Sequence, residues 1–264
     1  MKLPSIHQIR QSLFEKQVRL TDGPDALSQW LDSPIGQEVL RAEKQLVAQH
    51  LSRMFGYHIL QLGCSCKHSL IADSPVGHKI IFAPRYDAQS ELPVADNEQL
   101  PLANDSIDVV VVHHALDFTR DSHTLLREAS RVLRPGGQLL VIGFNPLSLW
   151  GLKKVLKVRS EVPWRGRFIS QNRVSDWLKL LELRVAKVEY GLHFLPSSWS
   201  KAAVPHAEGK KHRSRLTNPF GGAYLVICTK QVLPVTPVLL KWRPLRPRAA
   251  ALPAAENIRI KKLH

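Results

Sequence analysis

The sequence predicts an α/β protein, a mostly parallel β-sheet with helices on both faces. Three observations carry this. Ile107-Asp108-Val109-Val110-Val111-Val112 is a β-branched run with the composition of a strand buried on both faces of a parallel sheet. Leu125, Leu126, Ala129, Val132 and Leu133 then recur at helical spacing, with Arg and Glu between them. Arg134-Pro135-Gly136-Gly137 stops that helix, since Pro cannot continue it and Gly accepts φ > 0, and Gln138 to Gly143 forms the next buried strand. Strand, crossover helix and strand make one βαβ unit, whose hand is almost always right.

The other elements follow in order. Residues 1–32 read as an irregular extension, with Leu13, Phe14, Val18 and Leu20 offering one amphipathic turn. Ser33-Pro34 is a helix start, Ser as N-cap and Pro at the first helical position. Ile35, Val39, Leu46, Val47, Leu51 and Met54 supply its apolar stripe, and Gly56 ends it. This helix reads as purely structural. His58 to Leu62 is the first strand, Lys79 to Ala83 the second and Glu91 to Val94 a short third. Pro84 to Ser90 between the last two is too short for a crossover helix. Beyond Phe144 come helices over Leu147–Val158 and Gln171–Leu181, a sixth strand over Arg184–Tyr190 and a seventh over Ala223–Thr229. The main domain therefore spans 33–230. From Gln231 onward, five prolines and mixed basic residues predict a disordered tail.

The stretch from Asp96 to Gly143 resembles class I S-adenosylmethionine-dependent methyltransferases of the type-11 branch. Their ordered pattern is an acid, a Leu-Pro-hydrophobic step, a Ser-hydrophobic-Asp lead into a strand, and a helix ending in Leu-(Arg/Lys)-Pro-Gly-Gly. Here these are Asp96, Leu100-Pro101-Leu102, Ser106-Ile107-Asp108 and Leu133-Arg134-Pro135-Gly136-Gly137. A looser match runs from Tyr57 to Lys230. The resemblance implies a Rossmann-like sheet whose last strand is antiparallel, and S-adenosylmethionine as cofactor. It places Gln61, Gly63, Cys64, Ser65, Asp96, Asn97 and His113 at the cofactor. Asp96 would accept a hydrogen bond from an adenine amino group, with Asn97 supplying a neighbouring N–H. The same Asp-Asn pair also suits an Asx-turn. The glycine-rich loop departs from the family: Gln61 replaces its acid, Ser65 its second glycine and Lys67 its third. The acid expected after the second strand is missing, Asp87 being the nearest carboxylate.

These departures keep two functions in view. One is a methyltransferase whose acceptor the sequence does not name. The other is a non-catalytic, methyltransferase-like nucleic-acid-binding or scaffolding protein. Methyl transfer asks mainly for alignment of a nucleophile behind an already activated methyl, so no catalytic residue is assigned. His114 or Asp117 could serve as a base. Cys64, Cys66, His113 and His114 match zinc ligands in type, but adjacent histidines often point apart and Cys64 suits the small position after Gly63. No metal is expected. Asn145-Pro146 is similar to the Asn-Pro-Pro motif of amino-methylating enzymes, but it follows the fifth strand and lacks the second proline, so that role is not carried over.

The formal net charge of +15 is concentrated. Residues 151–167 carry six Lys/Arg against one acid, 197–219 five against one, and 231–264 seven against one. The first two segments leave the sheet at its carboxyl edge, where ligands of open α/β sheets bind. With Trp164 and Trp199 within them and Phe168 adjoining the first, they suggest an anionic acceptor such as nucleic acid. Leu149, Trp150, Leu152, Val155 and Leu156, interleaved with Lys153, Lys154 and Lys157, also suit an interfacial helix on anionic lipid. No apolar run approaches the length of a membrane span, and Met1 to His7 lacks a signal peptide's apolar stretch. Three cysteines, an odd number, predict the reducing cytoplasm.

Overall fold

Six strands order themselves as β2-β1-β3-β4-β6-β5 in the computed structural model, which describes residues 23–63, 67–83, 92–156, 162–193 and 218–231. They are β1 (His58–Gly63), β2 (His78–Ile81), β3 (Ile107–His113), β4 (Leu133–Phe144), β5 (Leu183–Gly191) and β6 (Ala223–Lys230). The pairings β1–β2, β1–β3 and β3–β4 are parallel, whereas β6 runs antiparallel to both β4 and β5. Val109 and Val111 face one layer and Val110 and Val112 the other, the period-two alternation of a strand buried on both sides. The first layer holds α1 (Gly23–Leu31) and α2 (Pro34–Leu51); the second holds α4 (Ser122–Val132) and α6 (Gln171–Leu180). Short α3 (Ala115–Phe118) and α5 (Leu149–Leu156) follow the carboxyl ends of β3 and β4.

The predicted start of α2 is realised: the Ser33 hydroxyl accepts the Gly36 N–H at 3.1 Å, with Pro34 at the first position. Its end is not. The helix stops at Leu51, and Gly56 instead lies flat against Asp108, where an added Cβ would sit 2.4 Å from that side chain. Nor is the whole stretch before Ser33 irregular, because α1 covers Gly23–Leu31 and buries Leu27 and Leu31 against α2 and the sheet. The expected third strand shrinks to a parallel bridge between Ala83 and Val94, closed by Ala83 N–H to Pro93 O at 2.9 Å and Ala95 N–H to Ala83 O at 3.1 Å.

Leu133-Arg134-Pro135-Gly136-Gly137 behaves as a bulge rather than a turn between separate elements. Ile107 pairs with Leu133 but Val109 pairs with Gln138, so residues 134–137 swell out of an otherwise continuous β4. Gly136 takes φ 79°, as its place in the motif demands. Residues 1–22, 84–91 and 232–264 lie outside the described residues, and with them the N-terminal amphipathic turn, Asp87 and nearly all of the basic tail. The helix predicted to reach Val158 is described as far as Leu156. Among the described residues, no helix is long and apolar enough to cross a membrane.

Candidate active site

The carboxyl edge of the sheet brings together the ends of β1, β3 and β4. Gly63 pairs with His113, and His113 with Ile142. Beside Gly63 lies the Asp96–Asn97 turn, whose Asn97 Nδ2 reaches Gly63 O at 3.4 Å. Asp96 is exposed and its Oδ1 accepts the Glu98 N–H at 2.9 Å, so the residue forms the Asx-turn open to it. Glu98 anchors the turn further by accepting from the Thr119 hydroxyl at 2.5 Å and the Asp121 N–H at 3.1 Å. Gln61 is buried and held at both ends of its amide: Nε2 donates to His68 O at 3.1 Å and Oε1 accepts from Leu70 N–H at 2.8 Å. It braces the chain after β1 through both its amide groups. Cys64, Ser65 and Cys66 lie outside the described residues. Gly63, Asp96 and Asn97 thus sit together at the end of β1, with Gln61 bracing the chain beside them.

A second assembly sits at the exit of β3. Residues 109, 111 and 113 face the α1–α2 layer, so His113 points at α2, and Glu43 of that helix meets it: Oε2 lies 2.9 Å from His113 Nε2. His114 Nε2 lies 2.8 Å from Glu43 Oε1, and its Nδ1 lies 2.9 Å from Asp117 Oδ2. Asp117 Oδ2 also accepts the Phe144 N–H at 3.2 Å, joining the β3 and β4 ends. The His114 ring stacks on Phe144 with centroids 3.9 Å apart. Glu43, His113, His114 and Asp117 are all at most 1% exposed.

Burial pushes the Glu43 carboxyl up, but the His114 charge and hydrogen bonds from both histidines outweigh it and hold it low. Burial likewise opposes charge on His114, yet the Glu43 charge and the Asp117 hydrogen bond raise its pKa. His113 is pushed down and Asp117 up, both mainly by burial. Among the described residues, Asp117 Oδ1 and the Tyr224 hydroxyl are buried without a partner. Tyr224 lies across Gly143, where an added Cβ would come within 2.5 Å of the phenol oxygen. The third cysteine, Cys228, is no nucleophile: burial pushes its thiol up to about 12.

Sequence reading placed His113 here and offered His114 and Asp117 as bases, but missed Glu43. The signal was an acid within an apolar stripe, four residues after Val39 and three before Leu46. The adjacent histidines do not point apart. His114 takes a left-handed backbone, φ 51°, which turns its ring back beside His113 with centroids 4.8 Å apart.

The basic segment 151–167 is partly consumed by packing. Lys153 Nζ sits 4.1 Å from the Trp164 ring centre, and Lys154 Nζ sits 4.3 Å from that of Phe168 while bonding Gly166 O. Arg167 donates to Thr119 O at 2.5 Å and Arg120 O at 2.8 Å. Asn145 is structural: its Nδ2 bonds Pro219 O at 2.7 Å and Gly221 O at 2.9 Å. Leu147, Leu149, Leu152 and Val155 remain exposed along α5 and the residues before it. Of the segment 197–219, all but Asn218 and Pro219 lie outside the described residues, including Trp199, Lys210 and Lys211.

Residues 71–141 match the family described as a methyltransferase domain. A curated relative from Escherichia coli K12, the uncharacterized protein YafS, is 32% identical over 225 residues, covering 83% of this chain and 87% of the relative. The ubiquinone/menaquinone biosynthesis C-methyltransferase UbiE of Dinoroseobacter shibae is 35% identical over 101 residues, 38% of this chain and 40% of that protein. Among solved structures, an S-adenosylmethionine-dependent methyltransferase from Thermotoga maritima, described as a possible histamine N-methyltransferase, superposes with a TM-score of 0.54 at 22% identity. It covers 73% of this chain and 91% of its own.

Proposed function

Since the chain belongs to the class I S-adenosylmethionine-dependent methyltransferases, in the type-11 branch, we propose that it carries a methyl group from S-adenosylmethionine to an anionic acceptor held at the carboxyl edge of β3 and β4. The observation that carries this reading is the Asn97–Gly63 link, which joins the acidic turn to the end of β1 as one cradle. Asp96, Asn97 and Gly63 hold the adenosyl group, and His113 lines its far side, with Cys64 and Ser65 following Gly63 in sequence. The cofactor supplies an activated methyl; the chain supplies alignment. Asp117 Oδ1, buried and unpartnered, is the group best placed to take a proton from the acceptor if one must leave.

Calorimetry with S-adenosylhomocysteine tests the cradle. Binding is expected, and its absence at about millimolar ligand, where an interaction of ~4 kcal/mol is measurable, sinks the reading. Asp96→Ala should weaken binding several-fold, as loss of one hydrogen bond of ~1 kcal/mol implies.

The anionic acceptor is supported by the clustering of charge in 151–167 and 197–219, and nucleic acid is the first candidate. A second reading, an acceptor carried on an anionic lipid surface in the cytoplasm, is favoured by the exposed Leu147, Leu149, Leu152 and Val155. Incubation with methyl-labelled cofactor against RNA, lipid and protein fractions separates the two. Label in none of them would favour the non-catalytic, nucleic-acid-binding alternative.

A further inference from the structure

Glu43, His113 and His114 each offer one ligand atom, and these atoms lie within 4.8 Å of one another. We propose that these three residues bind a divalent transition-metal ion of the zinc class. The argument begins with the backbone. Successive residues leaving a strand point to opposite faces, so two adjacent histidines do not ordinarily converge. Here His114 adopts φ 51°, a conformation that costs a non-glycine residue energy and tends to persist where function requires it. The result is that both Nε2 atoms meet the same carboxylate, at 2.9 Å and 2.8 Å.

An ion pair explains only part of this. One buried carboxylate is answered by one imidazolium; a second converging imidazole and a left-handed residue are surplus to that need. Two imidazoles and a carboxylate do form the ligand set of zinc sites that keep a fourth position open for water or substrate. The surrounding hydrogen bonds fit as well. Asp117 Oδ2 lies 2.9 Å from His114 Nδ1, the carboxylate–histidine arrangement that turns the other ring nitrogen toward a metal. Tetrahedral ligands at ~2.1 Å stand ~3.4 Å apart, so an arriving ion displaces the protons now shared, opens the two Glu43 contacts at 2.9 Å and 2.8 Å, and draws together the ligand atoms now separated by up to 4.8 Å. The site rests on these three ligands, with Asp117 behind His114, and does not depend on what the acceptor is.

The test uses the full chain without an affinity tag, stripped with chelator and titrated with Zn2+ and Co2+. One equivalent of either should bind, Zn2+ should raise the melting midpoint by about several degrees, and Co2+ should give visible bands of low coordination number. Glu43→Gln and His114→Asn, the latter compatible with the left-handed backbone, should each abolish the Co2+ bands. Circular dichroism and S-adenosylhomocysteine binding, followed on the same samples, separate loss of the ion from loss of the fold or of the cofactor cradle. A Cys64→Ser/Cys66→Ser variant should keep the bands. Two results overturn the proposal: no stoichiometric binding by the folded wild-type chain, or binding that survives Glu43→Gln but vanishes with the cysteines.

Discussion

Asp108 is buried at the head of a valine run and holds three donors at once. Its Oδ2 accepts Tyr57 N–H at 2.8 Å and His58 N–H at 2.9 Å, while Oδ1 accepts from Arg134 at 2.5 Å. Burial pushes this carboxyl up, but the two N–H groups and the guanidinium outweigh it and hold it below its ordinary value. A carboxyl held low in the folded state contributes its full stability above the unfolded value of ~3.9 and loses it as pH falls through the depressed one. Asp108→Asn should therefore cost ~2 kcal/mol at neutral pH, with the gap to wild type closing in acid; melting curves across pH 2–7, on the order of one unit apart, measure it. Gln61 gives a contrasting case. Restoring the family's acid by Gln61→Glu replaces the donor facing His68 O with a buried charge and should destabilise by ~2–4 kcal/mol without tightening S-adenosylhomocysteine binding. From the sequence, Gln61 looked like a lost cofactor ligand, because a replacement in a motif reads as damage until its partners are visible. Glu43 went unread for the opposite reason: its partners lie seventy residues away along the chain.

The loop from Asp96 to Asn104 is positioned chiefly by α4. Arg131 donates to Leu100 O at 3.1 Å, Leu102 O at 2.9 Å and Asn104 Oδ1 at 2.6 Å, and Glu128 accepts Leu100 N–H at 3.1 Å. The Leu-Pro-hydrophobic step is thus a strap clamped to a helix. Arg131→Ala should release it, lowering stability by ~1–3 kcal/mol and weakening S-adenosylhomocysteine several-fold through the displaced Asp96–Asn97 turn; calorimetry on the folded variant checks this. Strands with long β-branched runs and the capped α2 were legible, since local composition and periodicity decide them. The third strand was not, because among the described residues its bridge to Val94 is held by Ala83 alone and carries no periodic pattern. Helix α1 escaped notice because its buried Leu27 and Leu31 make a stripe of only two positions among the described side chains.

Part of the clustered charge has a packing role that composition alone could not reveal. Lys153 and Lys154 cap aromatic rings and brace the α5–Phe168 segment. Reversing both to Glu should lower the melting midpoint, whereas reversing Lys210 and Lys211 should leave it unchanged and reduce the dependence of log K on log salt for an RNA probe by ~0.7 per phosphate lost. A stable fold with unaltered salt dependence in the second variant would exclude that segment from the acceptor site. The antiparallel course of β6 has its own bearing on these measurements. The strand starts beside Phe144, on the ligand edge, and finishes where Lys230 bonds Asp105 Oδ1 at 2.8 Å and Leu133 O at 2.6 Å, on the opposite edge. Gln231 then donates to Glu182 O at 3.1 Å. A fluorophore, sensor chip or fusion partner coupled directly behind Gln231 would be moored at the foot of the sheet, at the end of the strands away from Gly63 and His113.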